Sequence, residues 1–283
     1  MRNGAVGGLP LQRAQLVIAQ CQSRHYDKTS AQPRENKHMS NPRQWLSDLS
    51  EFMARLALHP SVICMEFSVH RRVSRAFAVD ELGDLYAAGA ELLDPLLEFY
   101  EHAAGYCKAN CLVLSPEDFT FPGFEHRTTP RHLTCGFQLL DCSGILKARE
   151  DCATKAEMLV SVLNQFGDRF GASPDLIQGH LLVLRHCIPF CELREKNVLA
   201  LVPERAGVQP GVYYIFAGDS RRLCGTFGEW LNFLHESCYA GPDWAMLEFW
   251  HESNGLVLRP EITKKLMGVL GQDHECPWTE PII

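Results

Sequence analysis

The sequence predicts an α+β protein: a mixed, mainly antiparallel sheet flanked by helices, with further helices towards the chain ends. Two observations carry that expectation. Helical and β-rich segments follow one another in the order helix, strands, helix, strands, helices, with no repeat or low-complexity tract among them. The composition is ordinary for a globular chain, at 283 residues, 46% hydrophobic and 22% charged, with 21 Gly and 16 Pro. That composition excludes a collagenous, coiled-coil or wholly disordered protein, and the length allows a sizeable core without metal or disulfide staples.

Residues 1–38 stand apart, mixing Gly, Gln, Arg and Ser. Their one apolar run, Leu16 to Ala19, is too short for a signal-peptide core or a membrane span. The Ile18-Ala19-Gln20-Cys21 stretch resembles a lipoprotein cleavage site, but Gln20 stands where a small residue is wanted. The Arg-rich, acid-poor stretch before Asp27 would also suit a mitochondrial transit peptide. The expectation is a disordered tail or a mis-assigned start, with Met39 the true first residue. Ser40-Asn41-Pro42-Arg43 then offers a polar cap and an early Pro, the chemistry of a helix start.

From Gln44 to Leu58 the apolar residues Trp45, Leu49, Phe52, Met53 and Leu56 recur at three- and four-residue steps, which predicts an amphipathic helix stopped by His59-Pro60. Val62 to Val69 is short, apolar and β-rich, hence a strand, followed by a turn through His70-Arg71-Arg72. A helix is expected over Leu92–His102 with Pro95 in its first turn, where a missing N–H costs little. Strands joined by loops follow between Gly105 and Gly144, at Cys111–Leu114 and Leu133–Leu140. Thr154 to Phe166 reads as a helix, with Thr154 and Glu157 as a capping box and Gly167 as its stop. Strands are expected at His180–Leu184, Val198–Val202 and Gly211–Ala217, with turn chemistry at Glu195-Lys196-Asn197. Thr226–Ser237, Pro242–Glu252 and Pro260–Leu270 complete the set as helices, the second closed by Asn254-Gly255.

Reactive-site chemistry is hard to find. Cys107 and Cys111 are four apart, as are Cys187 and Cys191 beside His186, and two such pairs could supply soft ligands for zinc. Cys187 and Cys191 flank the apolar run Ile188-Pro189-Phe190, however, and free Cys is among the most buried residue types, so core packing is the expectation. With twelve Cys and twelve His some proximity arises by chance, and no thiol-enzyme signature surrounds any of them. The cationic run His126-Arg127-Thr128-Thr129-Pro130-Arg131-His132 reads as a solvated loop before an anion site. Gly4-Ala5-Val6-Gly7-Gly8 opens no strand–helix unit, and His235-Glu236 and His251-Glu252 lack the second His of a zinc protease. The sequence therefore assigns no catalytic, cofactor-binding or metal-binding residue and no cofactor.

Two stretches together resemble the SUKH superfamily of cell-wall-synthesis regulators and bacterial toxin-immunity proteins, over about residues 80–237. In the first, Leu92 to Gly105 is similar to an early family helix that carries an aromatic pair, here Phe99-Tyr100, and ends in Asn-Gly; Ala104 replaces the Asn. In the second, Leu182-Val183-Leu184 with Ile188-Pro189-Phe190 resembles a strand and its exit. Val198 to Leu201, Gly211 to Tyr214 and Gly225-Thr226-Phe227-Gly228-Glu229-Trp230-Leu231 then follow the family order of strand, strand and closing helix. The resemblance implies a scaffold that binds diverse partners through variable surfaces, and a division into a tail at 1–38, a SUKH-like domain at 39–238 and a helical extension at 239–283.

Charge sharpens the expectation. Residues 1–38 hold six Lys/Arg against two acids, leaving 21 against 32 in residues 39–283, so a net −7 becomes −11 on the body. An acidic body argues against direct nucleic-acid binding and favours a basic protein partner. The expectation is a cytoplasmic, non-enzymatic immunity protein that blocks a cognate basic toxin, possibly a nuclease, by occlusion, with no membrane contact. Glu192, Glu195 and Asp219, acids beside the expected strand ends, are the candidate partner-binding residues. The alternatives are a regulatory scaffold without a toxin and, third, a Cys- or Zn-dependent enzyme.

Overall fold

The first helix, α1 (Pro42–Leu56), is built as its sequence dictates. Asn41 caps it, its side chain accepting from the backbone N–H of Arg43 at 3.0 Å, with Pro42 as first helical residue. The five residues marked by spacing, Trp45, Leu49, Phe52, Met53 and Leu56, are all buried. Trp45 also donates its indole N–H to the Leu231 carbonyl at 3.0 Å, tying this helix to a segment 186 residues further along the chain. The structure, a computed structural model, describes residues 41–114, 120–121, 132–166, 174–193, 197–204, 207–216, 219–237, 239, 250–252, 255–256 and 258–269.

After α1 come β1 (Val62–Val69), α2 (Arg75–His102), β2 (Cys107–Leu114), β3 (His132–Leu139), α3 (Cys142–Phe166), α4 (Pro174–His186), β4 (Ile188–Glu192), β5 (Val198–Val202), β6 (Gly211–Phe216), β7 (Asp219–Cys224) and α5 (Phe227–Glu236). A small hairpin, β8 (His251–Glu252) with β9 (Gly255–Leu256), and α6 (Pro260–Val269) follow. Strands β1 to β7 form one sheet in sequence order with every neighbouring pair antiparallel, the α+β architecture the sequence predicts. Among the described residues no helix is long and apolar enough to cross a membrane.

Register fixes which side chains share a face. One row runs Val69, Cys107, Leu139, Cys191, Leu199, Tyr214 and lines the front of the sheet. The next row runs Ser68, Lys108, Gln138, Glu192, Val198, Ile215, Ser220 and lines the rear. The front is covered by α1, α2 and α5 around a large core in which Trp45, Phe99, Phe137, Phe190, Phe227 and Trp230 meet at ring separations of 5.1 to 6.0 Å. Each such ring contributes about 2–3 kcal/mol through burial. Tyr239, Trp250, Ile262 and Leu266 from the C-terminal region belong to the same core. A smaller core at the rear is made by Val198, Ala200, Val202, Tyr213 and Ile215 under Cys152 and Ala156 of α3 and Leu181, Val183 and Leu184 of α4.

Several expectations need correction. His180–Leu184 is not a strand but the last part of α4, where Ile177, Leu181 and Leu184 recur at helical steps and face the rear core. Ile188-Pro189-Phe190 is accordingly the body of β4 and not an exit from a strand. The helix expected from Leu92 starts at Arg75, capped by Ser74, and two internal breaks at Gly83 (φ +45°) and Gly89 hide its periodicity. Pro95 therefore lies well inside it. Likewise α3 begins at Cys142 and not at Thr154, because Asp141 caps it by accepting from the Gly144 N–H at 2.7 Å; Thr154 is mid-helix and makes no cap. Arg221 and Arg222 lie in β7, a strand the sequence reading does not mark. Of the helix expected over 242–252, residues 242–249 lie outside the described residues, and His251–Glu252 form β8. The tail at 1–38 is also outside them.

Candidate interaction surface

The acids of this protein are concentrated on α2. Its 28 residues carry Asp80, Glu81, Asp84, Glu91, Asp94, Glu98 and Glu101 against the single Arg75. One side of the helix is apolar and buried through Ala78, Leu82, Leu93, Leu96, Leu97, Phe99 and Tyr100, which turns Asp80, Glu81, Asp84, Glu91 and Glu98 to solvent. Tyr100 anchors that arrangement by donating its hydroxyl to the Leu140 carbonyl. Arg75 is committed to an ion pair with Asp94, which also accepts from the Tyr86 hydroxyl at 3.0 Å. The exposed acids thus have no opposing cation on their own helix. Where α2 ends, Arg43 at the start of α1 donates to the His102 carbonyl at 3.1 Å.

The acids expected to bind a partner are not brought together. Glu192 closes β4 on the rear of the sheet, and Asp219 opens β7. Three strand spacings of about 4.8 Å, or about 14 Å, separate them, with the buried Val198 and Ile215 between. Glu195 lies outside the described residues. Around Glu192 the rear of β1–β3 is polar: Lys108 pairs with Glu66 at 2.9 Å, and that hydrogen bond, reinforced by Glu192, raises the Lys108 pKa. Beside them Tyr106 stacks on His70 at 4.4 Å and bonds Ser68, and its partial burial pushes the phenol up. Gly136 makes room for Asn110, whose Oδ1 would lie 2.6 Å from a Cβ at that position.

Asp219 has a different setting. It pairs with Arg221 at 3.4 Å and accepts from the Ser220 N–H at 2.7 Å. His180 of α4 is only 6% exposed, and its Nδ1 has no hydrogen-bond partner among the described residues. Burial lowers its pKa, while Asp219 pulls upward and Lys155 downward. A buried neutral imidazole is the consequence.

The cysteines divide between the two cores. Cys107, Cys111 and Cys191 face the front core and Cys187 the rear one, so the two four-residue pairs cannot converge on one ion. His186 is exposed at the end of α4. Burial pushes the Cys107 thiol up to about 12 and the Cys191 thiol higher, which keeps both protonated and poorly nucleophilic near neutral pH. Among the described residues no three His, Cys, Asp or Glu side chains are grouped to hold a metal ion. The cationic run from His126 lies outside the described residues until His132, where β3 begins.

Sequence reasoning missed the α2 face although its signal was present as seven acids within residues 80–101. Acids at expected strand ends drew the choice instead, because the first half of α2 was not recognised as helix. No family model matches the chain, and no curated protein and no solved structure matches it.

Proposed function

We propose that this chain is a non-enzymatic, cytoplasmic immunity protein of the SUKH kind, which neutralises a basic bacterial toxin of nuclease type by covering its active site or substrate groove. The observation that carries the reading is the gathering of seven acids and one arginine on α2, with the exposed acids on the side away from the core. Such a face speeds encounter with a cationic groove built to hold phosphates, and it repels nucleic acid itself. The reading is also supported by the succession of β5, β6 and the helix α5 among the segments that carry the resemblance, although Leu182–Leu184 is helical and β7 intervenes before α5.

The test is co-expression with the product of the neighbouring gene. Relief of that product's toxicity and a one-to-one complex weakened by salt are expected. Glu91→Lys with Glu98→Lys should weaken binding about 10- to 100-fold, mainly by slowing association, and by more than Glu192→Lys or Asp219→Lys. A neighbour that is neither toxic nor bound would overturn the reading. Several weak partners in its place would favour a regulatory scaffold.

A further inference from the structure

We propose that the outer edge of β1 is a dimerisation surface, to which a second copy of this chain adds its own β1 antiparallel about a two-fold axis through Phe67. The two ends of the seven-stranded sheet are not alike. At the β7 end the edge is shielded, because β9 lies so close that a Cβ on Gly255 would stand 2.5 Å from the Leu223 carbonyl oxygen. At the β1 end no strand among the described residues pairs with the outer side. Val62 to Val69 hold neither Lys nor Pro, residues that commonly blunt an edge. The one irregularity, between Val62 and Cys64, leaves Cys64 to Val69 regular, and Ile63 and Val69 are exposed large apolar residues.

The bonds to β2 fix which backbone groups are left over. The His70 N–H donates to the Tyr106 carbonyl at 3.1 Å and, at the other end, the Leu114 N–H donates to the Ser61 carbonyl at 2.9 Å. Antiparallel strands turn alternate residues towards the partner. With the bulge counted, both contacts place Cys64, Glu66 and Ser68 inward and leave the N–H and C=O of Met65, Phe67 and Val69 pointing outward. Charge then selects the occupant. Glu66 is the one Asp, Glu, Lys or Arg of β1, and Lys108 neutralises it at 2.9 Å, so the edge is locally neutral on an acidic body. A cationic partner has little to grip there; a neutral, apolar strand such as β1 itself does. Self-pairing centred on Glu66 would oppose like carboxylates, and centring on Met65 would draw the bulge into the ladder. Centring on Ser68 would run Met65 past the end of the second strand, opposite Arg71. Centring on Phe67 sets Met65 against Val69 of the second copy and Glu66 against its Ser68, and all the outward groups are used in about six hydrogen bonds.

Such a contact is small, so a dissociation constant of about 10–100 µM is expected. The experiment is sedimentation velocity on the full chain from about 1 to 300 µM, which brackets that value. A monomer–dimer equilibrium is expected, tightened several-fold by added salt because two acidic bodies repel, the opposite of a toxin complex held by charge. Phe67→Pro removes an outward N–H without touching a bond to β2, and Val69→Lys places an ammonium against Met65 of the second copy. Each should weaken dimerisation at least about 10-fold, and Val69→Lys, at a partly exposed site, decides the matter if Phe67→Pro does not fold. Register is read by cross-linking in a Cys64→Ser background. Glu66→Cys and Ser68→Cys proteins, mixed and oxidised, should join through a disulfide, since those positions lie directly opposite as a non-hydrogen-bonded pair, and either protein alone should cross-link far less. A monomer at every concentration, a dimer indifferent to both edge variants, or no cross-link between these two positions in the mixture would overturn the proposal.

Discussion

The two halves of the sheet solve burial differently. In β1–β3 only the front is buried, and β2 alternates accordingly: Cys107, Ala109, Cys111 and Val113 point inward, while Lys108, Asn110, Leu112 and Leu114 stay partly or fully exposed. In β5 all five residues, Val198 to Val202, are buried, because α3 and α4 cover the rear as α1, α2 and α5 cover the front. The lesson is that an alternating strand and a continuously apolar one report the number of layers above them, not merely the presence of a sheet. On the rear of β1–β3, which no described helix covers, polar groups pair with one another, as Lys108 does with Glu66.

The sharpest way to break this comparison is to put the same charge on both halves. Ala200→Lys places an ammonium under α3 and α4 and should cost at least about 4 kcal/mol or prevent folding. Leu112→Lys on the open rear face should cost about 1 kcal/mol or less, read as a denaturant midpoint. Equal losses would mean that the rear of β1–β3 is also covered.

Glycines give a second, smaller contrast. Gly211 has φ +147°, and a Cβ there would strike the Cys224 carbonyl of the neighbouring strand, so Gly211→Ala should cost about 3 kcal/mol. At Gly136 the obstacle is the Asn110 side chain, which can turn away, so Gly136→Ala should cost about 1 kcal/mol and be nearly silent in an Asn110→Ala background. A large loss that persists in that background would show that the backbone of the open half is as closely packed as that of the covered half.

The smallest effect is a pH dependence confined to the covered half. Burial holds the His180 pKa below its ordinary value. The unfolded chain therefore binds a proton first as the pH falls through about 6.5, and stability present above that pH is lost below it. Between about pH 7.5 and pH 5.5 the unfolding midpoint of the wild type should fall more than that of His180→Gln. Identical pH slopes would place the imidazole in contact with solvent.

Legibility followed the range of the interaction that fixes each element. The α1 stripe and its Asn41 cap are set by residues within two turns, and β1 and β5 were expected at the bounds they have, Val62–Val69 and Val198–Val202. Leu181 to Leu184 is apolar at every position, so periodicity could not separate a helix from a strand there. The β7 sequence, Asp219 to Cys224, is polar because most of it is only half buried, and it offered no apolar run to find. For the candidate surface, the acid density of residues 80–101 is plain in the sequence, but its meaning depended on recognising helix on both sides of the breaks at Gly83 and Gly89.

The sequence by itself determined the α+β class, the Asn41 cap, the apolar steps of α1 and the −11 charge of the body, because propensity, periodicity and charge are properties of neighbouring residues. Only the tertiary structure decided that α3 and α4 cover the rear of β5 and β6, and that Glu192 and Asp219 stand apart. Those outcomes depend on strand register and on helix packing between residues far apart in the chain. Local pattern says which side chains must be buried, but not which distant element will bury them.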